Sequence, residues 1–251
     1  MRRAVRYLFV MVAISALSMA VSVTRSVAAV PVDQPVPGVE SVLPANGAVV
    51  GVAHPVVVTF TAPVADRAAA ERSIRVVSPS NLTGHFEWVE NNVVKWVPSH
   101  YWPSHTRVSV EVQGMGTGFE TGDALLGVAS ISAHTFTVSR NGEILRTMPA
   151  SMGKPSRPTP TGNFTALSKE RTVVMDSRTI GIPLSSPDGY KITASYAVRV
   201  TWSGVYVHSA PWSVDSQGYA NVSHGCINLS PDNAAWYFNT VTIGDPINVV
   251  A

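Results

Sequence analysis

Proline and glycine interrupt this chain at short intervals along most of its length. Each occurs 18 times in 251 residues, and only 14% of the residues are charged. A long helix needs an unbroken stretch with apolar residues every three or four positions, and proline breaks such a stretch. That periodicity is almost absent, whereas short segments that alternate apolar and polar residues are common. Alternation places every second side chain on the same face of a strand, so the sequence predicts a mainly β fold.

The first set of predicted strands lies in residues 36–126. The segment PVVVTFT puts Val56, Val58 and Phe60 on one face. GHFEWVENNVVKWVP predicts two strands joined by a turn at the paired asparagines, and RVSVEVQG alternates valines with polar residues. Short strands separated by turn residues over roughly a hundred residues are typical of an immunoglobulin-like β-sandwich. We predict such a module here, with its aromatic side chains in the core.

A second module is predicted in residues 127–251. Asn141 and Gly142 are a strong signal for a tight hairpin turn within SAHTFTVSRNGEILRTM. YKITASYAVRVT, GVYVH and PINVV also alternate. One helix is expected, because Ser230 can cap it and Pro231 suits its first turn. The second module is therefore also mainly β, with one or two short helices.

The amino terminus has the pattern of an export signal. MRRAVRY carries three arginines, and an uncharged apolar run extends from residue 7 to residue 23. A run of this length is near the upper limit for a signal peptide and near the lower limit for a membrane span. The small residues VAA that follow favour cleavage after about Ala29 over retention as a membrane tether. We expect residues 1–29 to export the chain to the cell envelope or periplasmic space, and residues 30–35 to form a linker.

The charge balance argues against nucleic acid as a partner. Four of the 18 lysines and arginines lie before residue 30, where there is no acidic residue. The remainder therefore has 14 basic and 16 acidic side chains. No cluster of basic residues is left to neutralise phosphates.

Cys226 is the only cysteine in the chain. In an oxidising compartment cysteines usually occur in pairs, so a single one either pairs with another molecule or is kept for its chemistry. His208 ends a predicted strand, and the turn-rich loop SAPWSVDSQGYANVS can bring the cysteine back to it. A nearby imidazole makes a thiol a useful nucleophile, by taking its proton or by stabilising the thiolate. No lysine or arginine lies between Thr201 and Ala251, so histidine is the only local cationic partner.

Gly225 comes directly before the cysteine. Because it has no side chain, its backbone can approach a substrate carbonyl closely. The consecutive amides of Gly225 and Cys226 can then donate to the oxyanion that forms when sulfur attacks that carbonyl. The two residues therefore favour acyl transfer through a cysteine.

The stretch from VYVHS to SHGCINLS resembles the signature of the L,D-transpeptidases, whose catalytic domain has the YkuD-type fold. That signature is a histidine, a loop, and then Ser/Thr-His-Gly-Cys-x-Asn. RPTPTGNF is similar to a strand near the start of that domain, and the preceding module resembles the two-domain mycobacterial type. The resemblance implies an immunoglobulin-like β-sandwich followed by a β-rich YkuD-type catalytic domain.

The resemblance also implies roles for individual residues. Cys226 would be the nucleophile, His208 its general base, and the backbone carbonyl of Ser209 would hold the other imidazole nitrogen. Tyr190 would lie on a mobile flap, with its hydroxyl beside the amides of Gly225 and Cys226. The remaining positions match residues that in similar enzymes contact substrate (Ser203, Gly204, Asn228), brace the cysteine loop (His224) or line the cleft (Met175, Trp212).

The implied reaction is a two-step acyl transfer in peptidoglycan. The donor is a tetrapeptide stem, cut between its diamino acid and the terminal D-alanine, and the acyl group stays on the cysteine as a thioester. The side-chain amine of a second stem then resolves the thioester and gives a 3→3 cross-link. A flap that excludes water limits hydrolysis. No cofactor is implied, and β-lactams of the carbapenem type are expected to acylate the cysteine.

Three other interpretations use the same residues. His208, His224 and Cys226 could bind zinc as a His₂Cys set, although zinc sites commonly use shorter spacings. The chain could be a non-catalytic wall-binding protein in which the sandwich holds glycan and the thiol is incidental. Water could also replace the amine, which would make the protein an L,D-carboxypeptidase or endopeptidase. The motif does not separate hydrolysis from transfer, because both share the acyl-enzyme.

Overall fold

The computed structural model describes residues 35–251, which belong to one compact unit. The predicted export segment and nearly all of the predicted linker lie outside the described residues. None of the helices in the described range has the length and hydropathy that a membrane crossing requires.

Eight strands and one short helix build the first module. The strands are β1 (Val39–Leu43), β2 (Val49–Val50), β3 (Val56–Phe60), β4 (Ile74–Val77), β5 (Gly84–Trp88), β6 (Val93–Pro98), β7 (Arg107–Val112) and β8 (Met115–Thr121). Helix α1 (Arg67–Arg72) begins after Asp66, whose carboxylate accepts a hydrogen bond from the Ala69 amide at 2.9 Å. The strands form two sheets of four, in the orders β1-β3-β6-β5 and β2-β8-β7-β4.

The predicted sandwich is confirmed, and its core is made of apolar side chains. On β3, Val56, Val58 and Phe60 are buried, and the three valines of β7 are buried in the same alternating way. Trp102 is 2% exposed, and its ring meets the edge of Phe119 at a centroid distance of 6.0 Å. The two sheets therefore pack face to face, as their alternation predicts.

The second module contains nine strands, one helix and two short 3₁₀ helices. The strands are β9 (Leu125–Ser130), β10 (Thr135–Arg140), β11 (Glu143–Pro149), β12 (Gly162–Thr165), β13 (Ser168–Asp176), β14 (Lys191–Arg199), β15 (Tyr206–Ser209), β16 (Ile227–Leu229) and β17 (Pro246–Val250). The 3₁₀ helices cover Ser177–Ile180 and Pro211–Ser216, and helix α2 covers Pro231–Thr240. One sheet has the order β11-β10-β9-β17-β12 and the other β13-β14-β15-β16. Strand β9 begins just before residue 127, where the sequence predicts the module to start.

The predicted hairpin and helix of this module are confirmed. Asn141 and Gly142 join β10 to β11 with φ angles of 50° and 88°, as a two-residue type I′ turn requires. The Ser230 hydroxyl accepts a hydrogen bond from the Asn233 amide at 3.4 Å, and Pro231 opens α2. These local signals therefore predict the two elements correctly.

The two modules meet through close backbone contacts. The Gly51 amide donates to the Ile243 carbonyl at 2.9 Å, and the Ala53 amide donates to the Gly244 carbonyl at 2.9 Å. A Cβ atom at Gly51 would lie 2.0 Å from the backbone nitrogen of Asp245, so a larger residue does not fit there. The sandwich is therefore packed directly against the turn that leads into β17.

Candidate active site

Cys226 lies at the end of a turn that leads into β16. Its side chain is partly accessible and lines two cavities, of about 340 Å³ and about 380 Å³. Met175 and Tyr190 also line both cavities. The thiol can therefore be approached from two sides, which suits a reaction with two substrates.

Ser223 and Gly225 set the shape of the cysteine turn. The Ser223 hydroxyl donates to the Cys226 carbonyl at 2.7 Å and accepts from the Gly225 amide at 3.1 Å. Gly225 has a φ of 122°, a conformation that residues with a side chain rarely adopt. The Ser223 amide also donates to the Met152 carbonyl at 3.0 Å, which ties the turn to the segment after β11. Ser223 is a site residue to which the sequence assigned no separate role.

The two amides of the cysteine turn that the sequence predicts as oxyanion donors differ in their hydrogen bonds. The Gly225 amide already donates to Ser223, whereas the Cys226 amide has no acceptor within residues 35–251. Burial, with a smaller effect of a charge on Cys226, raises the pKa of Tyr190, so its hydroxyl keeps its proton and can donate. The Cys226 amide and the Tyr190 hydroxyl therefore both remain able to donate a hydrogen bond, and the two residues line the same cavities.

His208 is a buried, neutral imidazole. It is 2% exposed, and its Nδ1 atom lies 2.9 Å from the Ser209 carbonyl oxygen. Because that carbonyl can only accept, Nδ1 carries the hydrogen and Nε2 keeps its lone pair. Burial lowers the pKa of His208 to about 4, and the Ser209 carbonyl opposes this only in part. The Trp212 ring lies beside the imidazole, with a centroid distance of 6.0 Å. His208 is thus neutral at pH 7 and has an Nε2 lone pair that can accept a proton.

The thiol of Cys226 is also neutral in this arrangement. It donates to the Gly204 carbonyl, with 3.7 Å between sulfur and oxygen, rather than to His208. Although the side chain is partly accessible, burial around the sulfur raises the pKa of Cys226 to about 12. The resting pair is therefore a thiol and an imidazole, not a thiolate and an imidazolium.

Tyr190 ends a segment that we call the flap, residues 177–190. The Ser177 amide donates to the Tyr190 carbonyl at 2.9 Å, and the Tyr190 amide donates to the Ser177 hydroxyl at 3.0 Å. These two bonds close the base of the flap. The Tyr190 ring packs on His224 with a centroid distance of 4.9 Å. His224 thus connects the cysteine turn to the flap.

The other predicted residues line one cavity or the other. The 340 Å³ cavity also contains His208, Trp212, His224 and Asn228, and the 380 Å³ cavity contains Ser203 and Gly204. Asn228 is 3% exposed, and its side-chain amide donates to the Ser213 hydroxyl at 3.1 Å. Asn228 therefore also fixes the loop between His208 and Cys226, a contact that the motif does not reveal.

A metal centre has no support in this geometry. Within residues 35–251 there is no group of three or more His, Cys, Asp or Glu side chains suited to holding a metal ion. Nδ1 of His208 is occupied by the Ser209 carbonyl, and the Cys226 thiol points to the Gly204 carbonyl. The zinc interpretation of His208, His224 and Cys226 is therefore not favoured.

A wider cavity of about 880 Å³ is lined only by residues of the sandwich module. Arg75, Arg107, Glu111 and Glu120 line it together with several glycines. Arg107 and Glu120 pair with each other at 2.8 Å, so their charges largely cancel. It contains none of the predicted site residues, and the reactive groups lie in the second module.

Comparison with known proteins agrees with both modules. A family model described as the L,D-transpeptidase catalytic domain matches residues 126–249, and one described as a bacterial Ig domain matches residues 3–117. L,D-transpeptidase 1 of Mycobacterium tuberculosis is 78% identical over 250 residues, covering 100% of both chains. The solved structure of LD transpeptidase LdtMt1 in complex with imipenem is 81% identical with a TM-score of 0.84, covering 86% of this chain and 100% of that one. An L,D-transpeptidase from Mycobacterium smegmatis is 66% identical with a TM-score of 0.82, covering 87% and 100%.

Proposed function

The chain belongs to the L,D-transpeptidase family, and from this premise we propose that it forms 3→3 cross-links between peptidoglycan stem peptides. It takes the acyl group of a tetrapeptide stem, releases D-alanine and transfers the acyl group to the side-chain amine of a second stem. A relative of 81% identity was solved with imipenem. We therefore propose that carbapenems acylate Cys226 of this chain as well.

The first step uses the neutral pair of Cys226 and His208. As Sγ attacks the carbonyl of the diamino acid, the thiol proton passes to Nε2 of His208. The Ser209 carbonyl holds the Nδ1 hydrogen and stabilises the imidazolium. The oxyanion accepts from the Cys226 amide and the Tyr190 hydroxyl. Nε2 then returns the proton to the nitrogen of D-alanine, which leaves, and a thioester remains on Cys226.

The second step exchanges the thioester for a new amide. The amine of a second stem attacks the thioester carbonyl, and His208 takes a proton from that nitrogen. The sulfur leaves and recovers the proton, so the free enzyme is restored. Since Cys226 lines two cavities, the amine can enter through one while the acyl group occupies the other.

One observation carries the proposal. The only thiol of the chain lies at the wall of a cavity shared with a buried imidazole whose Nε2 lone pair is free to accept its proton. Within the described residues neither belongs to a group of side chains suited to holding a metal ion, and Cys226 forms no disulfide there. Such a thiol and base are suited to acyl transfer.

The test is to incubate the protein with a tetrapeptide stem and follow intact mass. The wild type should gain the acyl group with loss of D-alanine and then release a cross-linked dimer. Cys226→Ala and His208→Ala should make neither product, while Arg107→Gln, on the sandwich surface, should behave as wild type. Turnover in the Cys226 variant would refute the proposal. Tripeptide without dimer would assign the enzyme to hydrolysis instead.

We also propose that the enzyme acts outside the cytoplasm. Its proposed substrate is cell-wall peptide, and the arginine-led apolar segment of residues 1–29 has the pattern of an export signal. A chain that lacks this segment should remain in the cytoplasmic fraction of the producing cell. Equal amounts of both forms in the envelope fraction would contradict the assignment.

A further inference from the structure

An ion pair connects the flap to the loop between β11 and β12. Nζ of Lys154 donates to a carboxylate oxygen of Asp188 at 2.6 Å. Lys154 follows β11, and Asp188 lies in the flap, close in sequence to Tyr190. The Lys154 side chain is 24% exposed, so this end of the pair is partly shielded from water. The Asp188 side chain is 52% exposed, so the pair as a whole is only half shielded and its effect is expected to be modest.

The lysine end of the pair is fixed to the cysteine turn. The Lys154 amide donates to the Ser223 carbonyl at 2.9 Å, and the preceding Gly153 amide donates to the Thr159 hydroxyl at 2.9 Å. A Cβ atom at Gly153 would lie 2.1 Å from the Arg157 carbonyl oxygen, so the loop is tightly packed. The ammonium group of Lys154 is therefore presented from a firmly held backbone.

The aspartate end of the pair reaches the catalytic cleft through His224. Nε2 of His224 lies 3.8 Å from the Asp188 carboxylate, and this buried atom has no hydrogen-bond partner within residues 35–251. The hydrogen bond from Lys154 lowers the pKa of Asp188, so the carboxylate is charged. Burial, reinforced by the charge of Lys154, lowers the pKa of His224. The ring is therefore neutral at pH 7, and Tyr190 packs on it.

We propose that Lys154 and Asp188 are positioning residues, which hold the flap closed on the cysteine turn and so place the Tyr190 hydroxyl at the oxyanion. Neither residue touches the reacting atoms. Two contacts and a short piece of chain carry their effect: Lys154 contacts Asp188, residues 188–190 connect Asp188 to Tyr190, and Tyr190 packs on His224. The catalytic part of this inference rests on the proposed function, whereas the closed flap is a property of the free protein.

Hydrogen exchange of the free protein tests the closed flap directly. Lys154→Met and Asp188→Asn should each raise amide exchange in residues 178–190 by about fivefold, the size expected for one partly exposed ion pair. Arg107→Gln removes a pair of similar length, 2.8 Å, on the other module and should leave flap exchange unchanged. Wild-type exchange in both flap variants would overturn the inference.

Exchanging the two charges tests whether the ion pair itself closes the flap, or whether the single variants act through a general loss of packing. Lys154→Asp alone places a second acid beside Asp188 and should open the flap further. Lys154→Asp combined with Asp188→Lys should restore most of the protection, because the pair can form again in the opposite direction. If the double variant exchanges as fast as the single one, the ion pair is not what closes the flap.

Acylation by a carbapenem tests whether the pair acts through Tyr190. Lys154→Met should slow acylation by about fivefold in the wild-type background and have little effect in a Tyr190→Phe background, where no hydroxyl remains to be placed. The same loss in both backgrounds would refute the positioning role. If the wild-type protein itself fails to react with the carbapenem, the proposed function fails. The hydrogen-exchange measurements still decide whether the ion pair holds the flap closed.

Discussion

The two modules differ most in what they bury. In residues 35–121 the buried polar side chains are Ser78 and Thr121, whereas residues 122–251 bury ten: Ser151, Thr159, Ser177, His208, Ser209, Ser213, Gln217, Ser223, Asn228 and Asp245. Burying a polar group costs free energy unless it finds a hydrogen-bond partner. The sandwich is therefore stabilised by apolar packing, and the second module also depends on a polar network that shapes its site.

The buried network holds the loop between His208 and Cys226. The Ser151 hydroxyl donates to the Ala220 carbonyl at 2.7 Å, and the Gln217 side-chain amide donates to the Ala210 carbonyl at 3.2 Å. Each bond joins the loop to itself or to the segment after β11. A strand is held by backbone hydrogen bonds to its neighbours, whereas this loop is held by hydrogen bonds from buried side chains. This explains why the second module buries more polar side chains than the sandwich.

The largest effect that we expect concerns the buried thiol. Because the pKa of Cys226 is raised to about 12, alkylation by iodoacetamide should accelerate about tenfold for each pH unit between about pH 7 and pH 10. Cys226 is the only cysteine, so the mass of the adduct reports it alone. The chain unfolded in denaturant is the control, and its rate should level off near pH 8.5 to 9. A plateau at neutral pH in the folded protein would reveal a thiolate paired with imidazolium.

Matched core truncations should separate stability from rate. Phe60→Ala in the sandwich and Met152→Ala beside the cysteine turn remove fully buried side chains, and each should lower the free energy of unfolding by about 2–5 kcal/mol. Only the Met152 variant should slow acylation under folding conditions, because loss of the buried side chain lets the segment shift, and its backbone carbonyl holds the Ser223 amide. Urea unfolding and carbapenem acylation measure the two quantities. Equal slowing in both variants would mean that the modules are coupled in catalysis.

Buried Asp245 should make the stability of the protein depend on pH. Burial raises the pKa of Asp245 to about 7, against the opposing hydrogen bond from the Thr242 amide. Between about pH 4 and pH 7 the folded state therefore binds this proton more strongly than the unfolded state, and stability falls as the pH rises through that range. The change should reach a few kcal/mol at most.

Asp245→Asn isolates this contribution, because the remaining groups titrate in both proteins. We expect the variant to lose less stability than the wild type between about pH 5 and pH 8, measured from urea midpoints. His208 acts in the opposite direction, since its lowered pKa removes stability as the pH falls below about 6.5. Identical slopes in the two proteins would rule out Asp245 as the source.

Removing one buried hydrogen bond from each module is expected to have the smallest effect. The Thr121 hydroxyl donates to the Pro103 carbonyl at 2.7 Å, and the Asn228 amide donates to the Ser213 hydroxyl at 3.1 Å. Thr121→Val and Asn228→Ala should each lower the free energy of unfolding by about 1–3 kcal/mol. Acylation should slow only in the Asn228 variant, which lines the cavity of Cys226. A slower Thr121 variant would contradict the division between the modules.

Local sequence patterns predict the strands, turns and helix caps that are determined by neighbouring residues. Alternation at Val56, Val58 and Phe60 identifies β3, because one face of a strand turns to the core wherever the strand pairs. The Asn141-Gly142 turn and the Ser230 cap likewise depend on neighbouring backbone atoms only. The family signature adds His208 and Cys226, which the fold brings to one cavity.

Contacts between distant segments escape such patterns. Strand β9 pairs with β17 in parallel, and nothing in LLGVAS or PINVV specifies the partner. Lys154 and Asp188 meet only because the flap lies over the cysteine turn. These are effects of tertiary packing, which composition and spacing do not encode.

The place of β17 between β9 and β12 has a consequence for synthesis. A growing chain that has not yet emerged as far as Pro246 lacks the strand to which both neighbours hydrogen-bond, so its five-stranded sheet stays divided. His208 and Cys226 are by then already translated, yet one of the two sheets of their module is incomplete. We therefore expect the second module, and with it the cavities around Cys226, to reach its final form only after the whole chain has been made.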